Sequence, residues 1–260
     1  MDNLVKVVIL FFIATFLLTS CANDELLPFY QEQKAGKIVI RGYNALQDSI
    51  QISVNNKIVT ADKKQNAFMK KVEKDYEFVF YDNEIKTVNI TNKKTNQLLY
   101  SQNFTSQNAV DTLSFYVKEN LLVSDFMSVS NKPGTLSAAG LTGYRFIFPG
   151  INQYSKTGYN GPVDAIIRKI NGEIVGVSKN INKNNAGSFV EFTFSLPPII
   201  EIELVKHGTN ESYVPGKRIA FRTVMQKNKS GLVVLEETAN ADNSFARVEG
   251  FLNLADYFSF

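Results

Sequence analysis

One histidine, His207, and one cysteine, Cys21, stand in the chain, and that scarcity limits the chemistry its residues can support. A Ser-His-Asp or Cys-His nucleophilic system would have to run through His207. That residue falls in Val205-Lys-His-Gly-Thr-Asn210, which reads as a hairpin turn. Zinc sites ask for several Cys or His ligands, and the chain has too few. Carboxylate pairs are more plentiful, as Glu201 with Glu203 and Glu236 with Glu237. Strand alternation puts Glu201 and Glu203 on one face, opposite Ile200, Ile202 and Leu204, so solvent exposure accounts for them. Glycoside hydrolysis needs two carboxylates facing one another across a cleft, and nothing in these spacings builds one. Asp164 and the run Asn240-Ala-Asp-Asn243 carry oxygen ligands that suit calcium, but without EF-hand spacing they read as turn residues. The expectation is a non-enzymatic protein without metal or cofactor.

Cys21 points elsewhere. Lys6 precedes an apolar stretch from Val7 to Leu18, broken only by Thr15, and Leu18-Thr19-Ser20-Cys21 closes it. The apolar core is about a dozen residues, short of the roughly 20 that span a bilayer as a helix, so it reads as a targeting segment. This arrangement resembles the lipobox of bacterial lipoproteins. The resemblance implies that residues 1–20 are a signal peptide, that the Cys21 thiol carries a diacylglycerol, and that cleavage leaves Cys21 as the first mature residue. Two acyl chains hold stably where one does not. Ala22 follows where inner-membrane retention would use aspartate, and Asn23-Asp24-Glu25 is similar to the export signal of Bacteroidota surface lipoproteins. An outer-membrane, lipid-anchored protein, on the cell-surface or the periplasmic side, is what these resemblances imply. With no second cysteine, no disulfide forms within one chain.

Composition describes what is anchored. Hydrophobic residues make up 44% and charged ones 20%, as in ordinary folded proteins. The formal charge is +3 and the basic residues are scattered in pairs such as Lys63-Lys64 and Lys217-Arg218, so nucleic acid is not an expected partner. Apolar residues repeat mostly at two, as in Ile50, Ile52 and Val54 or in Ile200, Ile202 and Leu204, which predicts strands. Turn residues punctuate them about every ten positions, the rhythm of a sandwich or barrel. The aromatic ending at Phe260 is similar to that of outer-membrane barrels, but strands exposing Asn, Thr and Glu on one face fit a sandwich better.

The two halves repeat. Gly36 to Asn44, Ser49 to Val54, Asn55-Asn56 and Lys57 to Val59 run in the same order as Gly143 to Phe148, Val163 to Arg168, Asn171-Gly172 and Glu173 to Val175. Thr87 to Asn96 then matches Ile200 to Asn210, and Phe104 matches Phe221, at an offset of roughly 115 residues. The predicted architecture is all-β: two tandem immunoglobulin-like, Greek-key β-sandwich domains of about seven strands each. The boundaries read as signal peptide 1–20, tether 21–35, first domain 36–125, linker 126–142 and second domain 143–260. Expected core residues are Ile38, Ile40, Ile52, Val54, Phe78 and Phe80 in the first half. In the second they are Phe146, Phe148, Ile166, Phe192, Phe194 and Ile202. Beyond the lipobox, the chain resembles Bacteroidota surface lipoproteins built from tandem immunoglobulin-like domains of unknown function.

The halves differ most between Pro149 and Pro162, an insertion that carries Asn152, Tyr154, Tyr159 and Asn160. Tyrosine among Gly, Asn and Ser is the composition of binding loops, because it offers contact area at low entropic cost. These four residues are the candidate ligand contacts, for a glycan or a protein. A competing reading packs the tyrosines on the sandwich, a second makes the domains spacers or assembly subunits, and a third is a glycan-active enzyme. The membrane, through the lipid at Cys21, is the remaining expected partner. Cys21→Ser is expected to abolish incorporation of labelled palmitate and to release the chain from the membrane fraction; a variant still labelled and sedimenting with membranes would contradict the lipid assignment.

Overall fold

A computed structural model describes residues 32–61, 66–119, 121–124 and 133–256. Cys21, the signal peptide and Phe260 lie outside them. The first half forms β1 (Gln33–Asn44), β2 (Ile50–Val54), β3 (Lys57–Val59), β4 (Lys71–Tyr81), β5 (Ile85–Asn92), β6 (Leu98–Thr105), β7 (Val110–Lys118) and β8 (Leu121–Ser124). The second half forms β9 (Leu141–Ile147), β10 (Val163–Lys169), β11 (Ile174–Ile181), β12 (Val190–Thr193), β13 (Ile199–Lys206), β14 (Ile219–Val224), β15 (Ser230–Ala239) and β16 (Phe245–Asn253).

Strand order repeats between the halves. The first sandwich pairs a sheet β4-β1-β7-β8 with a sheet β3-β2-β5-β6, and the second pairs β12-β9-β15-β16 with β11-β10-β13-β14. Adding eight to each strand number converts one into the other. Each half has one parallel pair, β1 with β7 and β9 with β15, amid antiparallel neighbours. Among the described residues, eight strands per half exceed the seven expected, and the parallel pairing places the first strand of each half inside its sheet.

Period-two burial explains why these segments are strands. In β2 and β5, Ile50, Ile52, Val54, Val88 and Ile90 point into one core with Ile38, Ile40 and Phe115, and intervening residues face outward. Tyr144, Phe146, Phe148, Ile167, Ile202, Leu204 and Leu235 do the same in the second half. Each such side chain contributes about 1.5–3 kcal/mol on burial. The turn Asn55-Asn56 holds both residues at positive φ, 45° and 65°, the conformation a two-residue hairpin needs. Of the expected core residues, Phe78 and Phe194 are only partly buried against their clusters. Ile166 is buried as expected, but on the other face of β10 from the main cluster: the strand pairs so that Ile167 opposes Ile202 and Ile166 opposes Glu203. Val163, Ala165 and Ile167 therefore face the core.

Part of the expected linker belongs to the second sandwich. Phe189 lies over Gly134 and Gly143, where a Cβ would stand 2.2 and 2.3 Å from its ring. Ser137 donates its N–H to Glu191 at 2.8 Å, and Gly140 donates to Asn228 at 2.6 Å.

The halves also meet directly. Tyr43 and Tyr116, on the outer side of the β1–β7 sheet, stack at 6.4 Å and join a buried cluster with Ile147, Leu232, Val234, Leu252 and Leu254. At its edge the Tyr116 hydroxyl and the Lys118 ammonium both donate to the carboxyl of Glu236, which is 4% exposed. Burial, with the nearby Glu249 carboxylate, pushes the Glu236 carboxyl up to about 8, and burial lowers the Lys118 ammonium. A carboxyl raised by folding binds its proton more tightly in the native state. Its contribution is favourable below the ordinary carboxylate range and declines as pH rises towards 8. The Glu236→Gln variant should therefore gain on the wild type between pH 5 and 8, with a slope of at most about 1.4 kcal/mol per pH unit. Denaturant unfolding across that range checks this, and a stability difference independent of pH would refute it.

Candidate binding loop

The insertion between β9 and β10 is organised by a residue far away in sequence. Glu237 on β15 is 1% exposed, and its carboxylate accepts the backbone N–H groups of Asn152 (3.0 Å), Tyr154 (2.7 Å) and Ser155 (2.9 Å). It also accepts the hydroxyls of Ser155 (2.6 Å) and of the buried Tyr213 (2.9 Å). Burying a carboxylate is costly unless its lone pairs are taken up, and here the loop backbone takes them up. Burial, reinforced by Glu237, raises the Tyr213 phenol above its usual range.

Asn152 secures the rest of the loop. It adopts a left-handed φ of 64°, which asparagine tolerates better than most residues. Its amide donates to the Tyr159 carbonyl at 2.5 Å and its side-chain oxygen accepts from Thr157 at 2.7 Å and Ser155 at 3.3 Å. Tyr159 is half-buried against the second core. Its hydroxyl donates to the Pro162 carbonyl at 2.6 Å, and Lys206 stands 5.9 Å from its ring centre. Tyr154 also packs on that core and donates its hydroxyl to Glu119 of the first half at 3.1 Å. Burial, followed by the charge of Glu119, raises its phenol. Of the four candidates, Asn152, Tyr154 and Tyr159 are thus gathered into one internal network. Asn160 is exposed, as are Lys156 and Gly158. The solvent-facing part of the loop is this exposed crest with the open parts of two fixed tyrosine rings.

The remaining candidates have structural partners. His207 lies against Asp164, Nδ1 to Oδ1 at 2.7 Å, and Asp164 also accepts N–H groups from Asn180 (2.9 Å) and Gly208 (3.0 Å). Burial alone would raise the Asp164 carboxyl; the bonds from Gly208, His207 and Asn180 outweigh it and hold the group below its ordinary value. The pair fastens the turn after β13 to β10 and β11. Asp242 accepts the Ser244 N–H and hydroxyl within its turn. Glu201 and Glu203 are bridged by Arg218, with Arg168 and Arg222 beside them, so cations share the face that was expected to be simply solvated.

Glu236 and Glu237 carry the contacts that sequence reasoning passed over. The available signal is the unbroken apolar run Leu232-Val-Val-Leu235, which marks a strand covered on both faces. Two carboxylates continuing such a strand are buried on opposite sides.

The chain matches no known protein family and no curated protein sequence. Among solved structures it is similar to the Bacillus anthracis TIE protein, at 9% identity and a TM-score of 0.25, over 77% of this chain and 33% of that one. The chain therefore spans about a third of that protein's length. It is also similar to a family 41 carbohydrate-binding module from streptococcal virulence factors, studied for alpha-glucan recognition. There the identity is 11% and the TM-score 0.22, with 77% of this chain and 92% of that one covered. Likenesses this distant leave the functional argument to the chain's own residues.

Glu237→Ala is expected to lower stability by about 3 kcal/mol, because five donors lose a charged acceptor. It should also speed amide exchange at residues 152–155. Chemical denaturation with exchange mass spectrometry measures both, and a loss below about 0.5 kcal/mol with unchanged exchange would refute the role assigned to this carboxylate.

Proposed function

We propose that this chain is a non-enzymatic, lipid-anchored envelope protein that binds a surface polymer or protein through the loop between Pro149 and Pro162. The observation that carries this reading is the set of five hydrogen bonds by which Glu237 holds the loop in one shape. A loop ordered before contact loses little conformational entropy on binding, and its tyrosine rings are already immobile. The lipobox resemblance at Cys21 supports the anchoring. The tether expected over 21–35 is shorter than the sequence suggested, because Gln33, Lys34 and Ala35 already pair with β4 as the start of β1; the segment between Cys21 and β1 sets the distance of the sandwiches from the lipid.

Because Tyr154 and Tyr159 also support the fold, the contact test uses exposed residues. Lys156→Ala combined with Asn160→Ala should weaken binding to purified capsular polysaccharide or to outer-membrane protein extract by about ten-fold, as two peripheral contacts worth roughly 1.4 kcal/mol together would. The melting temperature should not change. Surface-bound capture of the wild type and the double variant measures this, and undiminished binding would overturn the loop assignment.

A further inference from the structure

The sandwiches share a strand order but not the strand lengths along one side. β11 runs eight residues and its counterpart β3 only three, whereas β4 has eleven where β12 has four. In the second sandwich β11 meets β12 and closes that side. β3 is too short to cover β4 in the same way, and the inward-facing Tyr76 and Phe78 remain half-buried. A cleft of about 440 Å³ opens there, between β4 and the Asn55 and Glu84 turns of the opposite sheet.

Its floor is aromatic and its rim is polar. The rings of Tyr76 and Phe78 lie 6.0 Å apart with a 30° tilt. Phe78 leans on Gly36 of β1, where a Cβ would come within 2.6 Å of the ring. Tyr81, 44% exposed, extends the wall towards the solvent. Lys86 lies across part of the floor, its ammonium 5.8 Å from the Phe78 ring centre, and donates to Glu84 at 2.6 Å; at the rim Glu84 also accepts from the Asn55 amide at 3.2 Å. Lys57 and Glu77 complete a balanced set of two ammonium and two carboxylate groups.

We propose that this cleft is a second ligand site, which takes an uncharged sugar ring of a glycan chain. Aromatic rings give the C–H faces of a pyranose an apolar surface, and the mixed rim offers both donors and acceptors to its hydroxyls. The balanced charges select against an ionic ligand. The volume lies within the roughly 300–1,000 Å³ usual for small-molecule sites. With no tryptophan in the chain, tyrosine and phenylalanine carry the stacking.

The test is isothermal titration of the full chain in detergent with maltohexaose, cellohexaose, xylohexaose and mannohexaose, and with an oligogalacturonate as anionic control. At least one neutral hexaose should bind saturably and the anionic one should not. Phe78→Leu, which keeps apolar volume under the cleft, and the exposed Tyr81→Ala should each weaken binding at least about five-fold. Lys183→Ala, an exposed position outside both the cleft and the loop, should bind within about two-fold of the wild type, a change worth only about 0.4 kcal/mol. No binding by any neutral hexaose at millimolar concentration would overturn the inference, as would preference for the anionic chain. Binding indifferent to Phe78 and Tyr81 would do so too, and if it followed the Lys156/Asn160 variant instead, the loop reading would stand while the cleft assignment fell. Dimerisation through the free β4 edge in place of sugar binding, seen by sedimentation, would equally overturn it.

Discussion

Two adjacent carboxylates on β15 hold together what the apolar cores alone would leave loose. Strand alternation sends Glu237 towards the second sandwich's own insertion and Glu236 towards the first sandwich, so one short stretch of backbone controls both the loop and the seam. Neither carboxylate could remain buried without its donors. The loop backbone supplies them on one side, and Tyr116 and Lys118 supply them on the other. Glu119, next along from Lys118, reaches the same loop through Tyr154 and Gln153, so the seam and the insertion are fastened to each other as well as to β15.

This arrangement alters the picture of two independent beads on a tether. Stacked tyrosines and a buried apolar cluster join the sheets of the two halves, and residues 133–140 are fixed to the second sandwich. The repeat of strand order, with its parallel pair in each half, sets a common frame. Function is to be sought where the copies depart from it: in the insertion after β9 and in the shortened β3. Each departure exposes aromatic and polar side chains that the other copy covers or lacks.

Much of this frame was legible in the sequence. Alternating Ile50-Ile52-Val54 and Ile200-Ile202-Leu204 marked strands, Asn55-Asn56 marked a hairpin, and the spacing between halves paired β2 with β10 and β5 with β13, because local periodicity records which face is buried. The missed features depend on contacts between distant residues. Whether Ile166 or Ile167 faces inward is decided by pairing with β13, which no local pattern contains. Tyr154 and Tyr159 looked like free contact residues because composition does not reveal that Glu119 and the Pro162 carbonyl occupy their hydroxyls. Glu236 and Glu237 stood out only as a carboxylate pair, because their donors lie on other strands and in a distant loop. The cleft escaped notice because it arises from a strand that is too short.

The most direct test of the binding-loop account is hydrogen-exchange mass spectrometry of the full chain in detergent, with and without polysaccharide purified from the source envelope. The expected result is slowed exchange in residues 150–160, with the cores unchanged. Unaltered exchange in that loop, when binding is verified by an independent signal, would contradict the account.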